Sequence, residues 1–307
     1  MEALLSACSA IGIQMILAMS VNTFSGYVRQ LTFGHAAFAA FGAYTSALLS
    51  LRLGLSFWLA CPLSILVTSG IGLLVALPCL RGPKYYFMAM TFMMSYAVQY
   101  LLRHGRFAGG YVGLGRIASP NFWGMTLEAT TYWPLVIVAL VLCGVVHHRF
   151  QSSRYGCALG NCQAEGGELT SPVARRAALL AFVVSAAMAG LGGSLFAHYK
   201  AFIRPLDFDL EASLFILAMV VGGGLGSVTG TLLGAVLLGG LFEVAQTLAE
   251  YRLLASGMVF LLVGLWFPNG LLRQSAARID QFFFTHGAPC AINGLMPGLQ
   301  FGYGFVH

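Results

Sequence analysis

LSFWLACPLSILVTSGIGLLVALPCL, residues 55–80, carries no charged side chain. About 20 consecutive apolar residues take a helix across the hydrocarbon core of a bilayer. Working outward, comparable runs lie near 3–23, 31–51, 85–102, 132–149, 177–198, 212–229, 231–249 and 252–272. The runs 31–51, 212–229 and 231–249 are rich in Gly and Ala and are candidates for broken or re-entrant helices. A membrane tolerates such breaks only where protein satisfies the freed backbone groups. The expected fold is an all-α polytopic membrane protein with about eight to ten transmembrane or re-entrant helices.

Composition agrees. Of 307 residues, 16 are Lys or Arg and 10 are Asp or Glu, so 8% are charged and 58% hydrophobic, against roughly 25% charged in soluble domains. The mean hydropathy is +0.82. So few charges cannot clothe a water-facing surface, which excludes a soluble enzyme, a nucleic-acid-binding domain and a disordered chain. The basic residues behind the net charge of +6 build no Lys/Arg-rich cluster, as expected of a positive cytoplasmic side and not of a nucleic-acid site. Seven cysteines form no CxxC pair, so neither a disulfide framework nor a metal site is expected. Met1-Glu2-Ala3-Leu4 lacks a basic leader, and the first run is expected to remain as a membrane helix.

Loop charges set an expected orientation. Segment 149–176 holds Arg149, Arg154, Arg175 and Arg176 against Glu165 and Glu168 and is placed in the cytoplasm. Alternation then puts Arg29, Arg81, Lys84, Arg273 and Arg278 on the same side, with the amino terminus outside and the carboxyl terminus inside. Segment 103–131 dissents: it falls outside while carrying Arg103, Arg106 and Arg116. The expected membrane domain is 1–273, with 274–307 as a poorly ordered tail.

Gly222, Gly226, Gly230 and Gly234 recur every fourth residue and are expected on one helix face, where small residues let helices approach closely. Ala186, Gly190 and Ser194 repeat the pattern, as do Ala39, Ala43 and Ala47. Such faces serve plain packing, or helices that slide during a transport cycle. Gly222–Thr231 is not a phosphate-binding loop, since no lysine follows Lys200. His35, behind Gly34, is either a hydrogen-bonded residue at a helix start or a group facing a cavity. Glu243 lies inside an apolar run, and His147-His148 is read as the boundary of another. No paired carboxylates, Ser/His/Asp set or metal-spaced histidines stand out, so the chain is not expected to be an enzyme. Segment 149–176 is long for a connection between membrane helices, and a short cytoplasmic helix there is expected to seat on a soluble partner, or else the segment merely connects.

Gly26-Tyr27-Val28-Arg29-Gln30-Leu31-Thr32-Phe33-Gly34-His35-Ala36-Ala37-Phe38, followed by Gly42-Ala43-Tyr44-Thr45, resembles the signature of branched-chain amino acid ABC-transporter permeases of the M-subunit (LivM) family. Similar motifs follow in family order. They are Arg81-Gly82-Pro83, Gly109–Leu114, Ser153-Arg154-Tyr155-Gly156, Ala189–Gly193, Met219–Ser227 and Phe267–Leu271, and the resemblance covers about residues 10–273. It implies an ABC-importer permease in the bacterial inner membrane. Such a subunit pairs with an H-type permease, two cytoplasmic ATPase subunits that supply the energy, and a periplasmic substrate-binding protein. Gly34, His35, Gly42 and the Gly222–Gly234 series are then expected near the translocation path. Arg154, Gly156, Glu165 and Glu168 are expected in the ATPase-coupling loop. Related permeases carry urea or short-chain amides, and an ATP-independent channel or secondary transporter is the rival class.

The coupling loop departs from the family. Gly160–Pro172 is two residues shorter, lacks the usual arginines, and contains Gly166-Gly167 and Pro172. Adjacent glycines weaken a helix and Pro172 ends or kinks one. A short docking helix is expected, with Glu165 and Glu168 on one face.

Overall fold

The computed structural model of the chain describes residues 2–122, 125–126, 131–164, 171–245 and 258. The expected span 252–272, the tail, Glu165 and Glu168 lie outside the described residues. The helices are α1 (Glu2–Val28), α2 (His35–Leu53), α3 (Phe57–Cys79), α4 (Lys84–His104), α5 (Trp133–Gln151), α6 (Arg154–Ala164), α7 (Pro172–Lys200), α8 (Leu210–Gly223) and α9 (Val228–Ala245). Five of them, α1, α2, α3, α5 and α7, are long and apolar enough to cross a membrane. At 1.5 Å per residue the 29-residue α7 is about 43 Å long.

The helices begin and end for local reasons. Pro172 does not break a helix but opens α7, where its fixed φ and missing N–H suit the first turn. The Ser171 side chain caps that turn by accepting from Ala174 N (3.1 Å). Asp209 does the same for α8 through Ala212 N (2.9 Å). Helix α2 stops at Gly54, whose φ of 64° few other residues adopt without strain.

Helices α1, α2 and α7 form the centre. Phe24, Phe38, Phe87 and Phe182, all fully buried, meet with ring centroids 5.0–5.6 Å apart and join α1, α2, α4 and α7. Helices α3 and α5 lie outside. On α5, Val136, Ala139, Cys143 and His147 face inward, while Val138, Val141, Leu142 and Val145 are exposed. That split at helical spacing, with an aliphatic outer face, suits lipid. Helix α5 continues four residues past His147, to Gln151, and His147 itself is buried.

The start of α1 meets the end of α7, where Tyr199 Oη donates to the Ser6 carbonyl (2.7 Å), while Phe24 near the other end of α1 meets Phe182. The two helices are antiparallel, and α6 lies at the end where α7 begins. At the opposite end two loops join. Strand β1 (Leu114–Gly115) pairs antiparallel with β4 (Phe202–Ile203), beside a second small pair, β2 (Asn121–Phe122) and β3 (Met125–Thr126).

The glycine series is corrected. Gly222 ends α8, Gly226 lies in a turn, and Gly230 and Gly234 belong to α9, so the four do not share one face of one helix. Gly224 and Gly226 have φ of 109° and 86°, which a continuous right-handed helix cannot contain. The chain folds back into a hairpin there. Its small residues meet across the two arms: a Cβ on Gly230 would overlap the Gly223 carbonyl, and one on Gly234 the Met219 carbonyl.

Candidate functional site

Backbone that leaves a helix within a membrane must be satisfied by protein. Among the described residues, side chains of neighbouring helices close two breaks between helices in this way. The first, residues 29–34, joins α1 to α2 and is tied to α4: Phe33 N donates to Thr91 Oγ1 (3.3 Å), and Ser95 Oγ donates to the Phe33 carbonyl (2.7 Å). The freed Ala36 N–H at the start of α2 donates to Ser213 Oγ of α8 (3.1 Å). The second break is the hairpin turn 224–227. Asn22 of α1 reads its backbone with both ends of one amide, accepting from Gly226 N (2.8 Å) and donating to the Ser227 carbonyl (3.2 Å). One turn on, Gly26 brings the α1 backbone against Gly226; a Cβ on Gly26 would sit 2.9 Å from Gly226 Cα.

Gly34 caps α2 and faces α4, where a Cβ would come within 2.8 Å of Met94 Cε. His35 begins α2 and is buried. Ser185 of α7 donates its single proton to the Ser20 carbonyl of α1 (2.6 Å), so it accepts from His35 Nε2–H (2.6 Å). His35 Nδ1 then keeps a lone pair with no hydrogen-bond partner. Two further histidines bridge helices in the same manner. Thr23 donates to the Met19 carbonyl and accepts from His147 Nδ1–H (both 2.8 Å), and Tyr27 Oη donates to Nε2 (3.0 Å). His198 donates from Nδ1 to the Ala118 carbonyl (2.7 Å) and accepts from Ser46 at Nε2 (2.6 Å), with Ser194 donating to Ser46 (2.9 Å). Each interhelical hydrogen bond of this kind contributes about 0.6–2 kcal/mol in a bilayer.

Gly42 lies where α2 crosses α7. A Cβ there would overlap the Gly190 backbone, and one on Gly193 the Ala39 carbonyl. Gly190 also admits the Thr68 side chain of α3, so three helices meet at one level. An apolar groove of about 280 Å³ runs between α1 and α5, lined by Leu5, Gly12, Met15, Trp133 and Val136, and none of the candidate residues reaches it.

Helix α6 folds back on α5 and α7. Ser153 Oγ caps it by accepting from Gly156 N (3.3 Å), and Gly156 leaves room for the Gln151 carbonyl that any Cβ would strike. Leu159 is buried in the phenylalanine core, whereas Arg154 and Tyr155 are exposed. The helix is anchored on one side and open on the other.

Sequence reasoning missed Asn22, Thr91, Ser95, Ser185 and Ser213. Hydroxyl and amide groups inside otherwise apolar runs were the available signal, since each is costly in lipid without a partner.

Interrupted, glycine-packed apolar helices with side chains closing the breaks define a multi-pass membrane protein of the permease class. The chain belongs to the family described as the branched-chain amino acid transport system, permease component, whose model matches residues 3–264. It is 34% identical over 301 residues to the high-affinity branched-chain amino acid transport system permease protein LivM of Salmonella typhimurium, covering 87% of this chain and 69% of that protein. The LivM of Escherichia coli is 33% identical with the same coverage. The LivH permease of Salmonella typhimurium is 29% identical over 168 residues, about half of each chain (51%). No solved structure matches the chain.

Proposed function

We propose that this chain is the membrane-spanning permease subunit of a binding-protein-dependent ABC importer for branched-chain or similar small amino acids. The observation that carries the reading is the likeness to LivM across 87% of the chain. Likeness to LivH as well supports a partner of the same kind, and the path runs between two such permeases. Two ATPase subunits bind the α6 end, with Arg154 and Tyr155 as contacts, so that end and the carboxyl terminus face the cytoplasm. A solute-binding protein delivers its cargo to the opposite end. The membrane domain is 1–273, with 274–307 appended. The chain does no chemistry of its own; Gly34, His35, Gly42, Gly222, Gly226, Gly230 and Gly234 hold helices close enough to shift as units during the cycle.

The test is uptake of labelled leucine, isoleucine and valine in a bacterium deleted for its own branched-chain amino acid importers. The chain, expressed with its partner permease, ATPases and binding protein, is expected to restore uptake, and omission of the ATPases to abolish it. Uptake that persists without them points to a channel or secondary transporter. Uptake of urea or acetamide alone points to an amide permease.

A further inference from the structure

Helix α4 runs the whole depth of the bundle. Phe87 near its start joins the phenylalanine core that also receives Leu159 of α6, and Leu102 near its end packs with Ile117 and Ile203 at the opposite end. Its 21 residues reach about 32 Å, enough for a hydrocarbon core of about 30 Å. Yet α4 is not among the five helices that are apolar enough to cross a membrane.

Its packing is one-sided. Phe87, Thr91, Ser95, Val98 and Leu102 recur every third or fourth residue and form a single buried stripe. Thr91 and Ser95 of that stripe hold the break at 29–34. The opposite side is open: Tyr85 is 75%, Met93 63%, Tyr96 66% and Tyr100 59% exposed.

The open faces of α3 and α5 differ from it in chemistry. Leu59, Leu66 and Leu74 on α3, and Val138, Leu142 and Val145 on α5, are aliphatic and suit lipid. The α4 face carries phenol groups along its length. Tyr85 stands at one end, where tyrosine is common at a membrane surface. Tyr96 does not: it lies about 18 Å along the helix from Lys84 and about 12 Å short of His104. No group among the described residues pairs with the Tyr96 or Tyr100 hydroxyl, and an unpaired hydroxyl is costly in hydrocarbon. Something polar therefore covers the middle of this face.

Tyr and Met are enriched at binding surfaces, and a methionine side chain adapts to partners of different shape. No charged side chain lies between Lys84 and Arg103, so a zwitterion is held weakly enough to pass on. The break at 29–34 stands at the same depth, through Thr91 and Ser95, and solute sites in transporters form where helices are interrupted near mid-membrane.

We propose that the open face of α4, centred on Met93, Tyr96 and Tyr100, is this subunit's wall of the translocation path and touches the amino-acid cargo. The thioether and the ring faces take the branched aliphatic side chain, and the phenol groups exchange hydrogen bonds with the ammonium and carboxylate groups. The proposal rests on the importer reading above and names the residues that meet the cargo.

The experiment places single cysteines in the complete importer, reconstituted in liposomes, and reacts them with a sulfonate-bearing methanethiosulfonate. Met93→Cys and Tyr96→Cys test the α4 face, Leu142→Cys on α5 is the lipid-facing control, and the native chain gives the background of its own cysteines. A thiol reacts as thiolate, which forms in water and not in lipid, so reaction at 93 and 96 is expected at least about tenfold faster than at 142. The attached sulfonate at 96 should then lower leucine uptake about fivefold or more, by obstructing the path. Co-purification of the ATPase subunits checks assembly, and Tyr100→Cys replaces Tyr96→Cys if that variant does not assemble. Positions 93 and 96 as slow as 142, in an importer that takes up leucine, place the face against lipid or dry protein and overturn the proposal. Fast labelling that leaves uptake unchanged overturns it too, since the face is then wet but off the path. A native complex that takes up no leucine contradicts the importer reading itself.

Discussion

Asn22 is the residue on which most depends. Its carboxamide satisfies one N–H and one C=O of the turn between α8 and α9. Asn22→Leu leaves both groups orphaned and is expected to destabilise the protein by about 2–4 kcal/mol, read as a lower unfolding temperature in detergent. Asn22→Asp keeps the acceptor for Gly226 N but sets an oxygen against the Ser227 carbonyl, so it should lie between the two; an Asp variant as stable as native would remove the donor half of the clamp. His35 makes a single hydrogen bond at the junction of α1, α2 and α7. His35→Gln, able to donate to Ser185, should assemble better than His35→Ala. An assembled His35→Ala importer that takes up leucine at the native rate would remove His35 from the mechanism. The sequence singled out His35 because a histidine stands out in an apolar run. It passed over Asn22, whose amide does not ionise and so was not among the titratable groups singled out inside apolar runs, and the partners of both are distant: Ser185 is 150 residues from His35, and Ser227 is 205 from Asn22.

At the level of helices, the close crossing of α2 and α7 sets the strictest demand. Gly42→Ala forces two backbones apart and is expected to cost about 3 kcal/mol. Gly70→Ala in α3 meets nothing within 4 Å and should be neutral or stabilise by about 0.5–1 kcal/mol through its better helix propensity. Equal losses at both sites, measured by thermal unfolding, would contradict the packing described. Helix α6 supplies a further check. Tyr155→Cys, with Cys157 and Cys162 replaced by Ser, should cross-link to an ATPase subunit in the assembled importer; failure at 155 and at 160 alike would show that α6 is not the coupling element. Most helices could be read from apolar runs because length and uninterrupted hydropathy are local properties. The hairpin was legible only in part: 212–229 and 231–249 read as separate, interruptible runs, but the turn lies at 224–227, inside the first of them. Residues 222–234 hold neither proline nor charge, and a spacing of four suits a continuous helix as well as two arms folded together. Only backbone dihedrals distinguish these, and Gly224 and Gly226 permit either.

For the whole molecule, the two ends differ in kind. One presents α6, anchored through Leu159 and open at Arg154 and Tyr155; the other presents a strand-paired basic cap. Between them stand helices with aliphatic outer faces and a core bridged by three histidine–hydroxyl sets. Loop charges suggested both ends but could not show that the loops 103–122 and 201–211 form one surface, since strand pairing across 88 residues leaves no local mark in the chain (Leu114 with Ile203 is one such pair). In the proposed importer this subunit has to move when a motor at one end and a delivery protein at the other act on it. The most direct measurement is flux of labelled leucine into proteoliposomes. The complete assembly is expected to accumulate leucine only with its binding protein and ATP present. Equal flux through this chain alone, with no motor subunit and no ATP, would contradict the account.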